Sequence, residues 1–215
     1  MATAVFILTA YLIGSLSFAV IVSRAFSLPD PRTYGSGNPG ATNVLRTGKK
    51  VAALLTLVGD GGKGWLAVFL AARYAAGYGV DATGVAACAF AVFLGHIFPV
   101  FFRFKGGKGV STAGGILLAI HPLLGLATLA TWIIIAFFFR YSSFAAIVSA
   151  VFAPLYAFFM SLLGIASPLG FELGSMLPAM ILIMALLVWR HKRNILNLVA
   201  GKERRIGERK TGEVA

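Results

Sequence analysis

Long apolar runs are the feature that most constrains what this chain can fold into. Six runs occupy most of its length, at residues 4–24, 51–79, 83–102, 111–139, 144–164 and 176–190. An α-helix of roughly 20 apolar residues is long enough to cross the hydrocarbon core of a bilayer. Because 59% of the 215 residues are hydrophobic and only 12% are charged, the sequence predicts an all-α integral membrane protein.

Basic residues cluster in three of the polar segments and predict the orientation of the chain. The clusters lie in residues 24–50, in residues 103–108 and from residue 190 onward, and the net charge is +12. Since Lys and Arg accumulate in cytoplasmic loops, we place all three clusters on the cytoplasmic side. An even number of crossings must then separate the second cluster from the third, although only three apolar runs lie between them. One of these runs must therefore cross twice.

The run 111–139 is the candidate for the double crossing, because His121-Pro122 interrupts it. Proline removes a backbone donor and disfavours helix at the residue before it. Division into 111–120 and 123–139 gives seven transmembrane helices, some short or broken, with the N-terminus periplasmic and the C-terminus cytoplasmic. We expect one membrane-embedded domain, with residues 206–215 as a flexible cytoplasmic tail. The first run lacks signal-peptide flanks and is expected to stay in the mature protein.

The sequence Gly-Gly-Lys-Gly occurs twice, and the first copy, residues 61–64, lies inside an apolar run directly after Asp60. Non-helical backbone at membrane depth must line a cavity or be buried in protein. The pattern predicts a broken or re-entrant helix, with Asp60 and Lys63 shaping a cavity on the cytoplasmic half; a purely structural pair is the alternative. His96 is either a satisfied interfacial histidine or a further member of this cavity.

The second copy, residues 106–109, lies in the polar stretch FKGGKGVST. The stretch resembles a phosphate-binding P-loop but has glycine where a Walker A motif has Ser or Thr after the lysine. It places four groups at the start of the short segment 111–120: Lys105, Lys108, Ser111 and Thr112. The N–H groups at the start of a helix attract anions, so these residues are candidates for substrate binding.

Two further polar insertions have anion-binding character. Residues 34–50, YGSGNPGATNVLRTGKK, contain four glycines, and glycines allow successive backbone N–H groups to converge on a phosphate. The G-x-G-x-x-G pattern within it is no dinucleotide motif, because no strand precedes it. In residues 190–194, His191 and Asn194 share one helix face. Three cationic insertions on one side of the membrane favour an interfacial enzyme for phosphorylated substrates; a binding or transport protein for small phosphorylated anions is the alternative.

Four stretches of the chain closely resemble one enzyme family: GSGNPGATNVLR, LVGDGGKG, GHIFPVFFRFKGGKGVST and RHKRNILNLVAGKERR. They are similar to the bacterial acyl-phosphate:glycerol-3-phosphate acyltransferases, PlsY, from Gly14 to about Arg205. The resemblance implies a seven-helix enzyme of the bacterial inner membrane. It would transfer a fatty acyl group from acyl phosphate to the 1-hydroxyl of sn-glycerol 3-phosphate. The products would be lysophosphatidic acid and inorganic phosphate, in the first acylation of phospholipid synthesis.

The resemblance also implies roles for individual residues. Ser36, His191 and Asn194 would orient the attacking hydroxyl as catalytic residues. Arg46 and Lys105 would clamp glycerol 3-phosphate, with Lys108 as a weaker partner. The remaining substrate-binding positions are Gly37, Asn38, Gly40, Asn43 and Ser143. Ser143 is preferred to Ser142 for the serine position of the family, and the choice stays open.

The expected chemistry is direct transfer without an acyl-enzyme. No histidine is followed by aspartate five positions on, and no Cys–His or Ser–His–Asp arrangement is credible. An acyl phosphate is a mixed anhydride with a good leaving group, so positioning and charge neutralisation supply much of the catalysis. The expected partners are the two substrates and membrane lipid, without nucleic acid, coenzyme A or acyl carrier protein. Nothing in the sequence demands a metal or cofactor, and the oligomeric state and acyl-chain preference stay open.

Overall fold

The computed structural model describes residues 1–208 and confirms the all-α prediction. The ten α-helices in this range are α1 (Ala2–Gly14), α2 (Phe18–Ala25), α3 (Ala41–Leu45), α4 (Lys50–Tyr74), α5 (Ala82–Ile97), α6 (Val110–Ile120), α7 (Pro122–Phe139), α8 (Ser142–Leu162), α9 (Leu177–Arg190) and α10 (Lys192–Val199). Over the same residues, β structure is limited to one isolated bridge between Ala166 and Glu172.

The helices account for all seven apolar segments expected from the sequence. Five of them, α4, α5, α7, α8 and α9, belong to segments long and apolar enough to span a membrane by length and composition. The pair α1 and α2 passes the same test together, with a bend of 41° between them. The seventh segment is α6, whose 11 residues are too few to cross a bilayer alone. The protein is a multi-pass membrane protein, and the sidedness of its termini stays a prediction.

The broken span is the first one, and the expected break in residues 51–79 is wrong. The first apolar run is expected to form one helix, but it forms two: α1 ends at Gly14 and α2 begins at Phe18. By contrast, α4 continues through the Gly-Gly-Lys-Gly sequence without interruption. Long apolar stretches on both sides propagate α4, and close packing compensates the cost of about 1 kcal/mol for each glycine in a helix.

Glycines bring α4 and α6 into backbone contact. A Cβ atom on Gly64 would overlap the carbonyl oxygen of Thr112, and one on Gly115 would overlap that of Gly61. Packing of this kind is common between membrane helices, where small residues let two backbones approach closely. The first Gly-Gly-Lys-Gly copy is therefore a helix-packing surface.

The interruption at His121-Pro122 is confirmed. Residue His121 is in extended backbone conformation, and its Nδ1 accepts a hydrogen bond of 3.1 Å from the N–H of Leu123. It caps the start of α7. The turn places α6 and α7 side by side, with α6 between α4 and α7.

The last described segment, residues 201–208, returns to the link between α7 and α8. Ile206 N–H donates to the carbonyl of Arg140 at 2.6 Å, and the Arg140 guanidinium donates to the carbonyl of Ile206 at 3.0 Å. Part of the expected tail is therefore hydrogen-bonded to the helical bundle. Residues 209–215 of that tail lie outside the described residues.

Candidate active site

A cleft of about 500 Å³ opens where three polar segments meet. Its lining comes from the loop before α3, the loop before α6 and the junction of α9 and α10: Ser36, Gly37, Asn38, Gly106, Lys108, Trp189, Arg190, Lys192, Arg193, Asn194 and Asn197. Among the described residues, this lining holds four cations and no carboxylate. Its volume lies within the roughly 300–1,000 Å³ typical of small-molecule sites, and its charge suits an anionic ligand.

Asn43 organises the first loop. Its side chain is buried, its Nδ2 donates to the carbonyls of Pro31 at 2.7 Å and Tyr34 at 3.2 Å, and its Oδ1 accepts from the N–H of Ser36 at 3.0 Å. Gly35 has φ +60°, and a Cβ there would overlap Asn43 Oδ1. A side-chain amide from α3 thus presents Ser36 to the cleft.

The expected phosphate contacts from backbone N–H groups of this loop are only partly available. The N–H of Gly37 donates to the carbonyl of Tyr34 at 2.9 Å, and that of Asn43 donates to the carbonyl of Gly40 at 3.0 Å. Both N–H groups already donate to protein carbonyls, so a phosphate would have to displace those carbonyls to bind there. The side chains of Ser36 and Asn38 line the cleft directly.

The second loop, residues 105–109, is held from two sides. On one side, Arg190 donates from Nη2 to the carbonyl of Gly106 at 2.9 Å and from Nε to that of Gly107 at 3.2 Å. On the other side, the N–H of Gly107 donates to the carbonyl of His96 at 3.2 Å. These contacts leave the Lys108 side chain projecting into the cleft.

Beneath this loop lies a network of buried polar side chains, in which Asp60, Lys63, His96 and Thr112 are each less than 10% exposed. Asp60 Oδ1 is 2.9 Å from Lys63 Nζ and 3.6 Å from His96 Nδ1. The Thr112 hydroxyl lies 2.9 Å from the carbonyl oxygen of Asp60 and 3.0 Å from His96 Nδ1. Asp60 and Lys63 are packed in protein, away from lipid, and are not among the residues that line the cleft.

This network also completes the broken first span. The break between α1 and α2 leaves backbone groups without helical partners. Lys63 Nζ donates to the carbonyl of Leu16, and the N–H of Phe18 donates to Asp60 Oδ1 at 3.4 Å. Side chains of the continuous helix α4 thus provide hydrogen-bond partners for the backbone groups at the break between α1 and α2.

A chain of short hydrogen bonds connects Lys108 to the last described segment. Lys108 Nζ donates to Asn194 Oδ1 at 2.6 Å, and Asn194 Nδ2 donates to Glu203 Oε1 at 2.6 Å. The hydroxyl of Ser143 donates to the same Glu203 oxygen at 2.6 Å. The structure therefore places Ser143 in the network, while Ser142 is the first residue of α8.

Burial sets the charge states of Lys108, which lines the cleft, and of His191, which is buried between the lining residues Arg190 and Lys192 in the chain. Desolvation lowers the pKa of Lys108 from 10.5 to about 8, against the opposing effect of the Glu203 carboxylate. Desolvation, with the positive charge of Lys108 as a second cause, lowers the pKa of His191 from 6.5 to about 4. At pH 7 the lysine is mostly charged and the imidazole is neutral.

The tautomer of His191 follows from its neighbour. Its Nδ1 lies 2.8 Å from the carbonyl oxygen of Leu187, and a carbonyl oxygen only accepts, so Nδ1 carries the proton. In the neutral ring, Nε2 is then a hydrogen-bond acceptor. His191 is 2% exposed at the junction of α9 and α10, which fixes the direction of its ring.

The two basic residues expected to clamp substrate lie beside the cleft. Arg46 follows α3, with its guanidinium against Gly35, where a Cβ would lie 3.1 Å from Nη1. Lys105 is exposed and directly precedes Gly106 of the lining. Ser111 is half-buried in the first turn of α6, while Thr112 is fully buried in the network described above.

Five of the eleven residues that line the cleft are predicted from the sequence. The others are not: Gly106, Trp189, Arg190, Lys192, Arg193 and Asn197. Glu203, which is hydrogen-bonded to the lining residue Asn194, is not predicted either.

Arg190 lies in a basic cluster in which helical spacing distinguishes only His191 and Asn194, because those two share one face. Glu203 lies in the basic segment from residue 190 onward, which serves in the sequence only to predict orientation. The sequence does contain one indication of its role. Glu203 is an acidic residue between Lys202 and Arg204, and a basic segment that only orients the chain needs no carboxylate.

The family model described as glycerol-3-phosphate acyltransferase matches residues 4–201. A glycerol-3-phosphate acyltransferase of Cupriavidus pinatubonensis is 62% identical over 210 residues, covering 98% of this chain and 99% of its own. One of Ralstonia pickettii is 63% identical over 209 residues, covering 97% and 96% of the two chains.

Two crystal structures of PlsY (YgiH), an integral membrane glycerol 3-phosphate acyltransferase, share the fold. The glycerol 3-phosphate form has a TM-score of 0.84 at 35% identity, and the lysophosphatidic acid form has 0.83 at 34%. Each alignment covers 96% of both chains. With a family model that matches nearly the whole chain, and relatives that are more than half identical over their full length, this protein belongs to the glycerol-3-phosphate acyltransferase family.

Proposed function

We propose that this glycerol-3-phosphate acyltransferase takes its acyl group from an acyl phosphate. The group is transferred to the 1-hydroxyl of sn-glycerol 3-phosphate, at the cytoplasmic face of the bacterial inner membrane, and the products are lysophosphatidic acid and inorganic phosphate. The observation that carries the proposal is the cationic cleft at one end of a membrane-embedded bundle. A soluble phosphorylated substrate and a lipidic one would both have access to such a cleft.

The charge of the cleft suits two phosphate groups. A phosphate monoester carries about −1.5 to −2 charges at pH 7, so two substrates bring about three to four. The lining provides four cations in Lys108, Arg190, Lys192 and Arg193. Arg46 and Lys105, beside the cleft, are proposed to close on the phosphate of glycerol 3-phosphate.

Direct attack on the acyl phosphate accounts for the groups in the cleft. The 1-hydroxyl oxygen bonds to the acyl carbon, the bond from that carbon to the phosphate oxygen breaks, and phosphate leaves. Ser36 is the one hydroxyl side chain of the described lining. Its Oγ accepts a long hydrogen bond of 3.4 Å from the N–H of Asn38, so its own proton is available to a substrate oxygen. We assign Ser36, Asn194 and the acceptor Nε2 of His191 to orientation of the hydroxyl.

The hydroxyl proton passes to a phosphate oxygen of the substrates. An imidazole with a pKa of about 4 holds a proton poorly, whereas a phosphate monoester has a second pKa of about 6. The more basic acceptor is therefore on the substrate. His191 accepts a hydrogen bond from the hydroxyl and aligns it, without becoming the final proton carrier.

The test is turnover by purified protein in detergent or lipid mesophase, given palmitoyl phosphate and glycerol 3-phosphate. We expect phosphate release only with both substrates, together with lysophosphatidic acid, and no product when palmitoyl-coenzyme A replaces palmitoyl phosphate. Transfer from the coenzyme A thioester alone would overturn the assigned donor. Saturable glycerol 3-phosphate binding without turnover would favour the transport alternative, which liposome uptake then tests.

The clamp role of Arg46 has its own test. Arg46→Ala is expected to raise the KM for glycerol 3-phosphate and to leave the KM for palmitoyl phosphate nearly unchanged. Lys49→Ala, another exposed basic residue a few positions along the chain, is the matched control for loss of one positive charge. An unchanged KM and kcat in Arg46→Ala would remove this residue from the site.

A further inference from the structure

We propose that His96 is a positioning residue that holds the loop of residues 105–109 in its substrate-binding shape, supported by the membrane-buried pair Asp60 and Lys63. The inference rests on the function proposed above, since it assigns the loop to binding of a substrate phosphate. The first Gly-Gly-Lys-Gly segment would then support the loop that contains the second.

The loop lies directly on His96. The N–H of Gly107 donates to the His96 carbonyl at 3.2 Å. A Cβ on Gly107 would overlap His96 Nε2, and a Cβ on Gly106 would overlap the His96 carbonyl oxygen. Glycine at both positions allows the backbone to rest against the imidazole and its peptide group, so the position of the ring determines the position of the loop.

The orientation of the imidazole is set from its other edge. The Thr112 hydroxyl has a single proton, which it donates to the Asp60 carbonyl oxygen at 2.9 Å, because a carbonyl only accepts. The same hydroxyl lies 3.0 Å from His96 Nδ1 and must accept there. His96 Nδ1 is thus the donor, and Nε2 is turned towards the loop.

The far end of this chain is anchored in the membrane-spanning part of the protein. Asp60 is paired with Lys63 at 2.9 Å, and both are at most 4% exposed. The pair also binds the carbonyl of Leu16 and the N–H of Phe18 at the break of the first span. A continuous set of hydrogen bonds therefore connects that break to the loop.

Loss of this support should affect binding more than chemistry. Lys108 directly follows Gly107, and Arg190 holds the carbonyls on the opposite side of the loop. Without the His96 side chain, the loop keeps its lysine, the two bonds from Arg190 and the backbone bond from Gly107 to residue 96, but it loses the imidazole against which it packs and so its fixed shape. A phosphate would then bind to a less organised site, which appears as a higher KM while the groups around the hydroxyl remain in place.

The experiment compares His96→Leu with His96→Asn in the palmitoyl phosphate assay. Asn keeps a donor near the position of Nδ1, whereas Leu keeps only bulk. We expect Leu to raise the KM for glycerol 3-phosphate by about tenfold with kcat changed less than about threefold, and Asn to restore most of the affinity. His121→Leu is the matched control, because it removes a capping histidine from the other end of α6, and its KM should stay at the wild-type value.

Gly107→Ala tests the same contact from the loop side, even if His96→Leu fails to fold. Its Cβ would meet the His96 ring, so the KM should rise, and adding His96→Asn should reverse part of that rise because Asn lacks the Nε2 atom. The Pro39 carbonyl, 2.9 Å from the same Cβ, limits the rescue. Additive KM effects in the double variant, or a wild-type KM in His96→Leu, would overturn the proposal. Inactive wild-type protein would instead refute the proposed reaction.

Discussion

The two Gly-Gly-Lys-Gly copies have the same four residues and opposite structures. Residues 61–64 lie in the middle of the continuous helix α4 and are packed against α6. Residues 106–109 form an irregular loop that ends at Gly109 with φ +85°. The difference shows that a glycine-wrapped lysine has no structure of its own. Flanking sequence and packing neighbours decide whether it becomes a helix surface or a ligand loop.

The two lysines show the same contrast in their partners. Lys63 is buried, and both an adjacent carboxylate and a free carbonyl accept its hydrogen bonds. Lys108 reaches into the cleft and donates to the neutral oxygen of Asn194. The charge of Lys63 is paired directly with a carboxylate inside the protein, whereas Lys108 is connected to Glu203 only through Asn194 and lines the cleft, where an anion can bind.

Replacement of the buried lysine should have the largest effect. Lys63→Met leaves the Asp60 carboxylate buried without its ammonium partner, and we expect the free energy of unfolding to fall by about 3–5 kcal/mol. Labelling of Cys88, the only cysteine and fully buried, reports unfolding during a thermal ramp. The double variant Lys63→Met/Asp60→Leu should recover part of the loss. Wild-type stability of Lys63→Met would contradict the structural role assigned to Lys63.

The corresponding change in the second copy should affect activity and leave the fold intact. Lys108→Met removes a charged hydrogen-bond donor to phosphate, so we expect kcat/KM to fall by about 10- to 100-fold, with nearly unchanged Cys88 labelling. Lys49→Met, in the exposed segment before α4, is the control for loss of one surface charge. Full activity of Lys108→Met would remove this loop from the site.

Alanine substitutions of the glycines in α4 and α6 should change the free energy of unfolding by smaller amounts. Gly62 is helical, and a Cβ added to it would meet no neighbouring atom within 4 Å, so Gly62→Ala should stabilise the protein by about 0.5–1 kcal/mol. Gly115→Ala is the matched control, because its Cβ would overlap the Gly61 carbonyl oxygen, and it should destabilise by about 1–3 kcal/mol. Equal effects of the two changes on the Cys88 labelling transition would contradict the packing described for α4 and α6.

The smallest expected effect is on the pH dependence of binding. Because burial lowers the pKa of Lys108 to about 8, its positive charge is lost as the pH rises through 8. The KM for glycerol 3-phosphate should therefore roughly double between pH 7 and 8 and rise further above it. Lys108→Arg keeps its charge throughout this range, so its KM should stay flat. Parallel profiles for the two proteins would exclude Lys108 as the titrating group.

The same ionisation has the opposite effect on stability. The folded-state pKa of Lys108 is below its ordinary value of 10.5, so the unfolded chain binds more protons between about pH 8 and 10.5. Stability contributed by this residue therefore increases with pH across that window, while substrate affinity decreases. The opposing trends separate a binding role from a structural one.

Part of the site could be predicted from the sequence. Lys108 and Asn194 are candidates because polar, basic insertions are foreign to a membrane protein unless they have a function, and Ser36 is a candidate through the family resemblance. All three line the cleft.

The roles of Glu203 and Arg190 are not predictable from such local patterns. Glu203 accepts hydrogen bonds from Ser143 and Asn194. Arg190 donates to the carbonyls of two glycines in the loop of residues 105–109. Most of these partners are distant in sequence, so only the folded chain brings them together.

The sequence by itself determined the membrane class, the apolar segments and the turn at His121-Pro122, because hydropathy and proline act locally. It also determined that three basic segments would be rich in anion-binding groups. Only the tertiary structure decided which span is broken. A Gly-Gly-Lys-Gly stretch remains helical when a neighbouring helix packs on its glycines, and the α1–α2 break is tolerated because Asp60 and Lys63 meet its free backbone groups. Both outcomes depend on contacts between distant segments, which no local pattern contains.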